Sequence, residues 1–462
     1  MSPACEPLYH TEQINFLGTL LSRLRGEQDN AFGNQVAQLL EQQEYLTCLT
    51  RFAENSHLLL QLDNAQFVPH YNILAALILD IKPTEALQQA VALITGPLLK
   101  DDAAKRPQLK LNALTTLYNV LESDSPVRYD VFDAILQLAT AAHQAAAVVP
   151  TLAAQPHADA LNRLCAEWGV TDLARQQRLY QRTLALLAAA GPEHAALTHA
   201  YQLAYLALFD GADAAQRALR EQSGLQAEVE SIIADALRLE DAVYYEELYL
   251  LDIVQALGAS NRHVALLKIF VDGTVADYDA FVAKDNGAAF VADAAKLDAA
   301  AAADKIRLLT LAGLASSIVA SPGSADAAAT ATATATAVVV PSEAAPTLLT
   351  YAQIADALRI AVDDVDAWVI RATRANLVTA KMDPIRQTVC VSRALFRTFR
   401  GPQPWKALRD ALTRWDGKLE EVLSVLDKAK VVAVETAQQS AQKGRRGPYK
   451  GGPRGGKRDD RE

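Results

Sequence analysis

Residues 405–429, WKALRDALTRWDGKLEEVLSVLDKA, have a heptad pattern that predicts one long amphipathic helix. Their apolar positions alternate by three and four residues, as in the seam of a coiled coil or helical bundle. The predicted seam consists of Trp405, Leu408, Leu412, Trp415, Leu419, Val422, Leu426 and Ala429. Burying one large apolar side chain contributes roughly 1.5 to 3 kcal/mol, so the seam favours a partner. The partner is either the domain of the same chain or the helices of other subunits.

The residues before this helix predict a small domain made of three helices and a hairpin. Most of it lies in residues 350–391, TYAQIADALRIAVDDVDAWVIRATRANLVTAKMDPIRQTVCV. The sequence Asp-Pro-Ile-Arg from Asp383 separates two runs of strand-forming residues, which indicates a turn between two strands. We interpret this order as a winged helix. Its predicted elements are helices at Ile306–Val319, Tyr351–Leu358 and Asp363–Leu377, and strands at Val378–Met382 and Gln387–Val391.

A low-complexity run, residues 321–346, interrupts the predicted winged helix. It contains a stretch in which Ala and Thr alternate, bracketed by Ser-Pro-Gly and two prolines. Alternation is typical of a strand, but these side chains are too small to bury much apolar surface. The run therefore predicts a disordered loop that leaves the fold intact, since the entropy cost of closing a surface loop grows slowly with its length.

The N-terminal 300 residues predict helix after helix, separated by short polar or Gly/Pro breaks. The chain is 51% hydrophobic but only 6% aromatic, a composition that suits packed helices better than a sheet sandwich. We therefore predict an all-α fold: an α-solenoid of helical hairpins, a winged helix and a long C-terminal bundle helix. Predicted helices include Gln35–Ala53, Phe67–Leu79, Thr84–Leu93, Gln108–Leu121, Val127–Ala142, Leu173–Ala189, His194–Phe209, Gln226–Leu237, Tyr244–Leu257 and Asn261–Phe270.

Several local strings, read together with this architecture, resemble the PCI-domain family. That family provides scaffold subunits to the proteasome lid, the signalosome and eukaryotic translation initiation factor 3. The strings are Leu117–Ala139, Leu266–Val282, Ile306–Ala315 and Thr350–Phe399, and they narrow the resemblance to one subunit of the initiation factor. The resemblance implies a helical repeat region at 1–205, a PCI domain at 206–399 with its winged helix at 304–399, and a bundle helix at 400–435. The basic, Gly-rich composition after it predicts a disordered tail at 436–462, which the resemblance does not include.

The function implied by this resemblance is that of a non-catalytic scaffold subunit. Its expected partners are other subunits of initiation factor 3, especially sister PCI subunits, and the small ribosomal subunit with its mRNA. A PCI subunit of the signalosome would share the architecture, so the fold alone does not separate the two complexes. A winged-helix nucleic-acid binder is the alternative from a different class.

Charge argues against direct DNA recognition by the predicted winged helix. Its third helix would bring Asp363, Asp364 and Asp366 towards the major groove, where carboxylates oppose phosphate binding. Arg371 and Arg374 follow only later in that helix. We therefore expect the winged helix to pack against protein.

The sequence contains no recognisable catalytic or metal-binding pattern. The eight histidines lack metal-ligand spacing, and the four cysteines include no Cys-x-x-Cys pair, so we predict no enzyme, no metal and no cofactor. Gly451–Arg458 matches Gly-x-x-x-x-Gly-Lys, but Arg458 replaces the Ser or Thr that would hold magnesium, and neither a strand nor a helix is predicted around it. The few scattered cysteines and the absence of a signal or membrane-spanning run predict a soluble cytoplasmic protein that does not bind membranes.

Charge is divided unevenly between the body of the chain and its tail. The formal net charge is −15 for residues 1–442 and +5 for residues 443–462. Basic residues interleaved with glycines and a tyrosine are typical of flexible segments that contact RNA. The candidate RNA contacts are Lys443, Arg445, Arg446, Tyr449, Lys450, Arg454, Lys457, Arg458 and Arg461. A terminus that only increases solubility is the alternative.

Overall fold

A computed structural model describes most of the chain. The described residues are 7–102, 104–154, 160–211, 216, 224–240, 242–258, 260–284, 286–320, 347–399 and 402–444. The predicted loop at 321–346 lies outside them, as does residue 445 onwards of the predicted tail. The chain divides into two compact units, Met1–Ile306 and Arg307–Glu462. The predicted domain boundary at residue 205 stays a prediction.

The first unit is built from helices, and the all-α class is confirmed. Its longer helices are α1 (Pro7–Leu24), α2 (Ala31–Glu41), α3 (Tyr45–Glu54), α5 (Asn64–Ile78), α6 (Thr84–Lys100), α7 (Pro107–Val120), α8 (Val127–Ala141), α9 (Ala145–Ala153), α10 (Ala160–Glu167), α11 (Leu173–Ala190), α12 (Ala195–Ala207), α13 (Leu225–Arg238), α16 (Arg262–Asp272) and α17 (Val275–Ala283). Its short helices are α4 (Ser56–Leu59), α14 (Glu246–Leu250), α15 (Asp252–Ala256) and α18 (Gly287–Ala289).

Helices of the first unit pack against helices that are close to them in the chain. Helix α1 contacts α2 and α5, α5 contacts α7, α8 contacts α6, α7 and α11, and α11 contacts α12. Large side chains such as Trp168, Tyr180 and Phe209 are fully buried between them. This neighbour-to-neighbour packing is what stacked helical hairpins require, because each pair buries its apolar face against the next.

Two predicted helices are each broken in two. The helix predicted at Gln35–Ala53 is α2 and α3, and the chain turns between them at Gln43, which has a positive φ of 58°. The helix predicted at Tyr244–Leu257 is α14 and α15, with Leu251 extended between them. Neither break contains Gly or Pro, the residues that usually signal one.

The second unit contains a three-stranded antiparallel sheet among helices. Helix α19 (Ala299–Ala320), within which the unit begins, precedes β1 (Thr347–Thr350), α20 (Tyr351–Leu358), α21 (Val365–Arg374), β2 (Val378–Asp383), β3 (Thr388–Ala394) and α22 (Pro402–Gly444). The strand order is β1-β3-β2, and Leu349 and Met382 both pair with Val389. Strands β2 and β3 agree with the predicted hairpin, whereas β1 was not predicted, since it has only four residues next to the low-complexity run.

Local capping explains where several helices begin. Thr350 accepts a hydrogen bond from the Gln353 amide at 3.3 Å, and the Gln353 side chain accepts one from the Thr350 amide at 3.0 Å. Thr274 and Asp277 form the same reciprocal arrangement at α17. Each such cap satisfies backbone donors that have no partner inside the helix.

A buried lysine holds the loop between α6 and α7. The Lys110 side chain is 2% exposed, and its ammonium lies 2.8 Å from Asp101 Oδ2. It also donates to the Asp102 carbonyl oxygen at 2.9 Å. The hydrogen bond from Lys110 lowers the pKa of Asp101 below its ordinary value of 3.8, against the opposing effect of burial. The ion pair therefore stabilises the fold above the pKa of an unfolded aspartate, and this contribution is lost as the pH falls through the lower pKa of the folded state.

We predict that Lys110→Met lowers the free energy of unfolding of the first unit by about 1 to 3 kcal/mol near pH 7, because Asp101 loses its buried partner. Urea unfolding followed by circular dichroism measures this effect. The difference from the unaltered chain should shrink as the pH falls through the lowered pKa of Asp101 and this carboxylate becomes protonated. The exposed Lys82, altered to Met, is the control and should change little. An equal loss in both variants, or a loss that does not depend on pH, would contradict the role of the ion pair.

Candidate subunit interface

The predicted seam lies along one exposed stripe of α22. All eight seam residues belong to this helix, and all are exposed, with Leu408 43% and Trp415 69% accessible. No other described element covers them. Large apolar side chains that form one continuous exposed patch mark interaction sites. The prediction that the seam binds another subunit is not tested by the isolated chain.

Helix α22 is longer than predicted. It runs for 43 residues, about 65 Å at 1.5 Å per residue, and ends at Gly444, although the sequence analysis placed the end of the bundle helix at 435. Residues 436–443 are mostly Ala, Gln and Lys, which favour a helix, and Gly444 is the first helix-breaking residue after them. Lys443, the first candidate RNA contact, therefore lies in the last helical turn. The other candidate contacts, from Arg445 onwards, lie outside the described residues.

An aromatic cluster fixes the beginning of α22. The Trp405 indole N–H donates a hydrogen bond to the Phe399 carbonyl oxygen at 3.0 Å. The Trp405 ring lies 5.5 Å from the Phe399 ring, which lies 5.8 Å from that of Phe396. Trp405 thus belongs to the connection between β3 and α22 as well as to the seam. This second role was not predicted from the sequence, although the aromatic Phe399 lies only six positions before Trp405.

The third helix of the predicted winged helix, α21, packs against other residues of its own unit. The Tyr351 hydroxyl donates to Asp366, and burial together with this carboxylate raises the pKa of Tyr351 to about 12. The Arg371 guanidinium lies 4.3 Å from the centre of the Trp368 ring. Asp363 and Asp364 are exposed just before α21. The helix therefore presents exposed carboxylates at its start and holds one arginine against an aromatic ring, an arrangement that opposes phosphate binding.

The turn between β2 and β3 presents a residue that the sequence analysis did not single out. Ile385 is 96% exposed at the tip of this hairpin. The Asp383 carboxylate accepts hydrogen bonds from the backbone amides of Ile385 and Arg386, both at 3.2 Å, and so holds the turn. An Asp at the start of a turn is a common local signal for such bonds. The exposure of the isoleucine is visible only in the folded unit.

A polar cleft in the first unit is lined by ion pairs between α8 and α11. Asp130 lies 2.8 Å from Arg175, and Asp133 lies 3.7 Å from Arg178. The cleft has a volume of about 670 Å³. Burial raises the pKa of both carboxyls, against the lowering effect of the arginines. Each carboxylate faces an arginine of the other helix. We therefore interpret these ion pairs as a cross-link between α8 and α11.

The described residues offer no metal-binding cluster, and two of their cysteines are buried. No group of three or more His, Cys, Asp or Glu side chains could hold a metal ion there. Burial raises the pKa of the Cys48 thiol to about 12 and that of the Cys165 thiol to about 11, which disfavours the reactive thiolate. Among the same residues, no helix is long and apolar enough to cross a membrane.

Comparison with known proteins gives a consistent result. No protein-family model matches the chain. Proteins named eukaryotic translation initiation factor 3 subunit M are similar to it over most of its length. The relative from Aspergillus terreus is 29% identical over 82% of this chain and 74% of its own length. The relative from Chaetomium globosum is 28% identical over 86% and 83%, and that from Pyricularia oryzae is 26% identical over 88% and 85%. Subunit M is also the subunit that the sequence strings resemble, so this resemblance is confirmed.

We predict that Trp405→Ala loosens the beginning of α22, because it removes a hydrogen bond and a ring contact worth about 1 to 2 kcal/mol together. Backbone amides in residues 405–410 should then exchange hydrogen about tenfold faster, as measured by mass spectrometry. Trp415→Ala is the control, since this residue lies in the same helix and is 69% exposed. Unchanged exchange in Trp405→Ala, or equal acceleration in both variants, would show that the aromatic cluster does not hold the helix.

Proposed function

We propose that this chain, which is similar to subunit M of eukaryotic translation initiation factor 3 over most of its length, is a non-catalytic scaffold subunit of that factor. The observation that carries the proposal is the similarity to several proteins of this name over more than four fifths of the chain. A cytoplasmic role in translation initiation follows from the same proposal. The name shared by these relatives does not favour the signalosome or a lone nucleic-acid binder.

The proposed mechanism is geometric. The second unit supplies a helix followed by a strand, two helices and two strands, an order that supports the predicted winged helix of a PCI domain. This domain would pack against sister PCI subunits. Helix α22 would join a bundle formed by helices of several subunits, through the stripe from Trp405 to Ala429. The exposed apolar side chains of that stripe support this role, because a helix with one apolar side becomes stable in water when that side is covered.

Binding to the small ribosomal subunit and mRNA would follow from membership of the factor. Many acidic side chains of the first unit are exposed, and its ion pairs form between residues of the same unit. We therefore do not place the ribosome contact there. The basic residues from Lys443 to Arg461 are the candidates for direct contact with RNA, since they form the one strongly basic segment of the sequence.

Affinity purification from nuclease-treated cell extract, followed by a sucrose gradient, tests the proposal. We predict that the unaltered chain recovers other subunits of initiation factor 3 together with small ribosomal particles. Leu412→Asp combined with Leu419→Asp should release it, because two carboxylates in a buried seam cost several kcal/mol. The chain's own fold should survive, since both residues are exposed in it.

The matched control is Thr413→Asp combined with Ser424→Asp, which adds the same charge to exposed positions on the opposite side of α22. This control should stay assembled. Recovery of signalosome subunits with the unaltered chain would replace the proposed complex by its sister. Retained assembly of the Leu412 and Leu419 variant would remove the seam from the mechanism.

We predict that deletion of residues 443–462 weakens binding to ribosomal RNA fragments, because eight basic side chains are removed. The loss should be large at low salt and small at high salt, since phosphate contacts release counterions. Fluorescence anisotropy over a salt series measures it. A control in which only the basic residues of the tail become Gln keeps the length and should behave like the deletion. Unchanged affinity at low salt would leave the tail without an RNA-binding role.

A further inference from the structure

Arg178, in the polar cleft of the first unit, has an ion pair but no hydrogen bond. The cleft is lined by side chains of α6, α8 and α11, and its volume of about 670 Å³ lies within the range of ligand-binding sites, roughly 300 to 1,000 Å³. The Asp133 carboxylate lies 2.9 Å from Arg182 but 3.7 Å from Arg178, which is too far for a hydrogen bond. The Arg178 side chain is 61% exposed, and among the residues that the structure describes it has no other polar partner.

The other charged groups of the cleft already have close partners. Asp130 lies 2.8 Å from Arg175, whose guanidinium lies 4.1 Å from the centre of the Tyr129 ring. The Tyr129 hydroxyl donates a hydrogen bond to the Arg175 carbonyl oxygen at 2.7 Å. Both carboxylates of the cleft therefore have an arginine at hydrogen-bond distance, whereas the five N–H donors of Arg178 are left for another partner.

Gln137 of α8 supplies a second donor to the cleft. Its side-chain oxygen Oε1 accepts a hydrogen bond from Arg182 at 2.8 Å. A guanidinium only donates, so this bond fixes which end of the amide is the oxygen and leaves the amide nitrogen with two N–H donors. Gln137 and Arg178 both line the cleft. The cleft thus offers hydrogen-bond donors, and a ligand that satisfies them carries acceptor oxygens.

Exposure and charge indicate which kind of ligand carries these oxygens. The side chains of Asp130, Arg175 and Arg178 are 42%, 34% and 61% exposed, so the cleft is too open to enclose a small molecule, most of whose surface a binding pocket buries. A nucleic acid would bring a row of phosphates to a chain whose residues 1–442 carry a net charge of −15. One carboxylate on a protein segment matches the single guanidinium that lacks a hydrogen bond.

We propose that this cleft is a docking site for a protein segment that bears a glutamate or aspartate, whose carboxylate binds the Arg178 guanidinium and the Gln137 amide. Two N–H groups on one edge of the guanidinium donate to the two carboxylate oxygens, the bidentate geometry that favours Arg at such sites. Asp130 and Asp133 oppose a ligand with several negative charges, so the site selects one carboxylate in an otherwise uncharged segment. The site consists of residues of the first unit alone, and it goes beyond the proposed function.

Binding of peptide mixtures to the immobilised full-length chain tests this proposal. Three mixtures of seven-residue peptides, with blocked ends and only uncharged residues elsewhere, carry Glu, Gln or Lys at the central position. We expect the Glu mixture to be retained at least about fivefold more than the other two, as measured by mass spectrometry, because only Glu forms charge-assisted hydrogen bonds with Arg178. Equal retention of the three mixtures, or a preference for Lys, would overturn the proposal.

Substitutions of Arg178 assign the preference to the cleft. Arg178→Gln should reduce retention of the Glu mixture by about tenfold, and Arg178→Lys should restore it only in part, since Lys lacks the bidentate fork. The matched control is Arg163→Gln, which alters an exposed arginine of α10 outside the cleft and should leave retention unchanged. The unfolding temperature of Arg178→Gln should match that of the unaltered chain, because its ion pair is long and exposed. An equal loss in Arg178→Gln and Arg163→Gln, or no loss in either, would overturn the proposal.

Chemical modification of arginine locates the contact without a substitution. Hydroxyphenylglyoxal reacts with exposed guanidiniums, and mass spectrometry measures the rate at each arginine. With the Glu mixture at about twice its half-saturating concentration, Arg178 should react about threefold more slowly and Arg163 at an unchanged rate. An unprotected Arg178 would overturn the proposal. If Arg178→Gln also weakens binding of a six-nucleotide uridine RNA by a similar factor, the site binds phosphate and the proposal is likewise overturned.

Discussion

Every helix of this chain depends on covering its apolar side, and most of the structure follows from how that is achieved. In the first unit the cover is another helix nearby in the chain, as in the series α5, α7, α8 and α11. Burial of one large side chain contributes roughly 1.5 to 3 kcal/mol, which is what offsets the entropy cost of ordering each added pair. Helix α22 is the exception, because its apolar side is exposed along its length. The same requirement that builds the first unit therefore leaves α22 with an uncovered apolar side, which we propose other chains cover.

Polar interactions add specific links to this apolar packing. Lys110 with Asp101 fixes a loop, and Arg175 with Asp130 joins two helices. In the second unit the centre of the Trp368 ring lies 4.3 Å from the Arg371 guanidinium and 5.5 Å from that of Arg307. These contacts keep α21 packed inside its own unit, with its exposed aspartates at one end. Such an arrangement suits a module that binds protein better than one that reads nucleic acid.

Much of the fold could be predicted from the sequence because helices repeat their apolar residues with a regular period. Helix α11 begins at the predicted residue and ends one residue beyond the predicted end, and the hairpin of β2 and β3 follows from its turn residues. The strand β1 could not be predicted, since it depends on pairing with the distant strand β3, and the break at Gln43 contains no Gly or Pro to signal it. The seam was visible as a pattern, but its exposure was not: only the structure shows that its side chains are uncovered in this chain. The second role of Trp405 likewise depends on how the chain turns at Phe399.

The exposed side of α22 also affects the life of the chain in a cell. A copy made in excess of its partners carries a long apolar surface, and such surfaces promote aggregation and recognition by chaperones and proteases. Its abundance would then follow the supply of the helices that cover it, even if synthesis continued. The amount of this chain in the cell would depend on the amounts of its partners. A defect in one partner would then lower the amounts of that partner and of this chain.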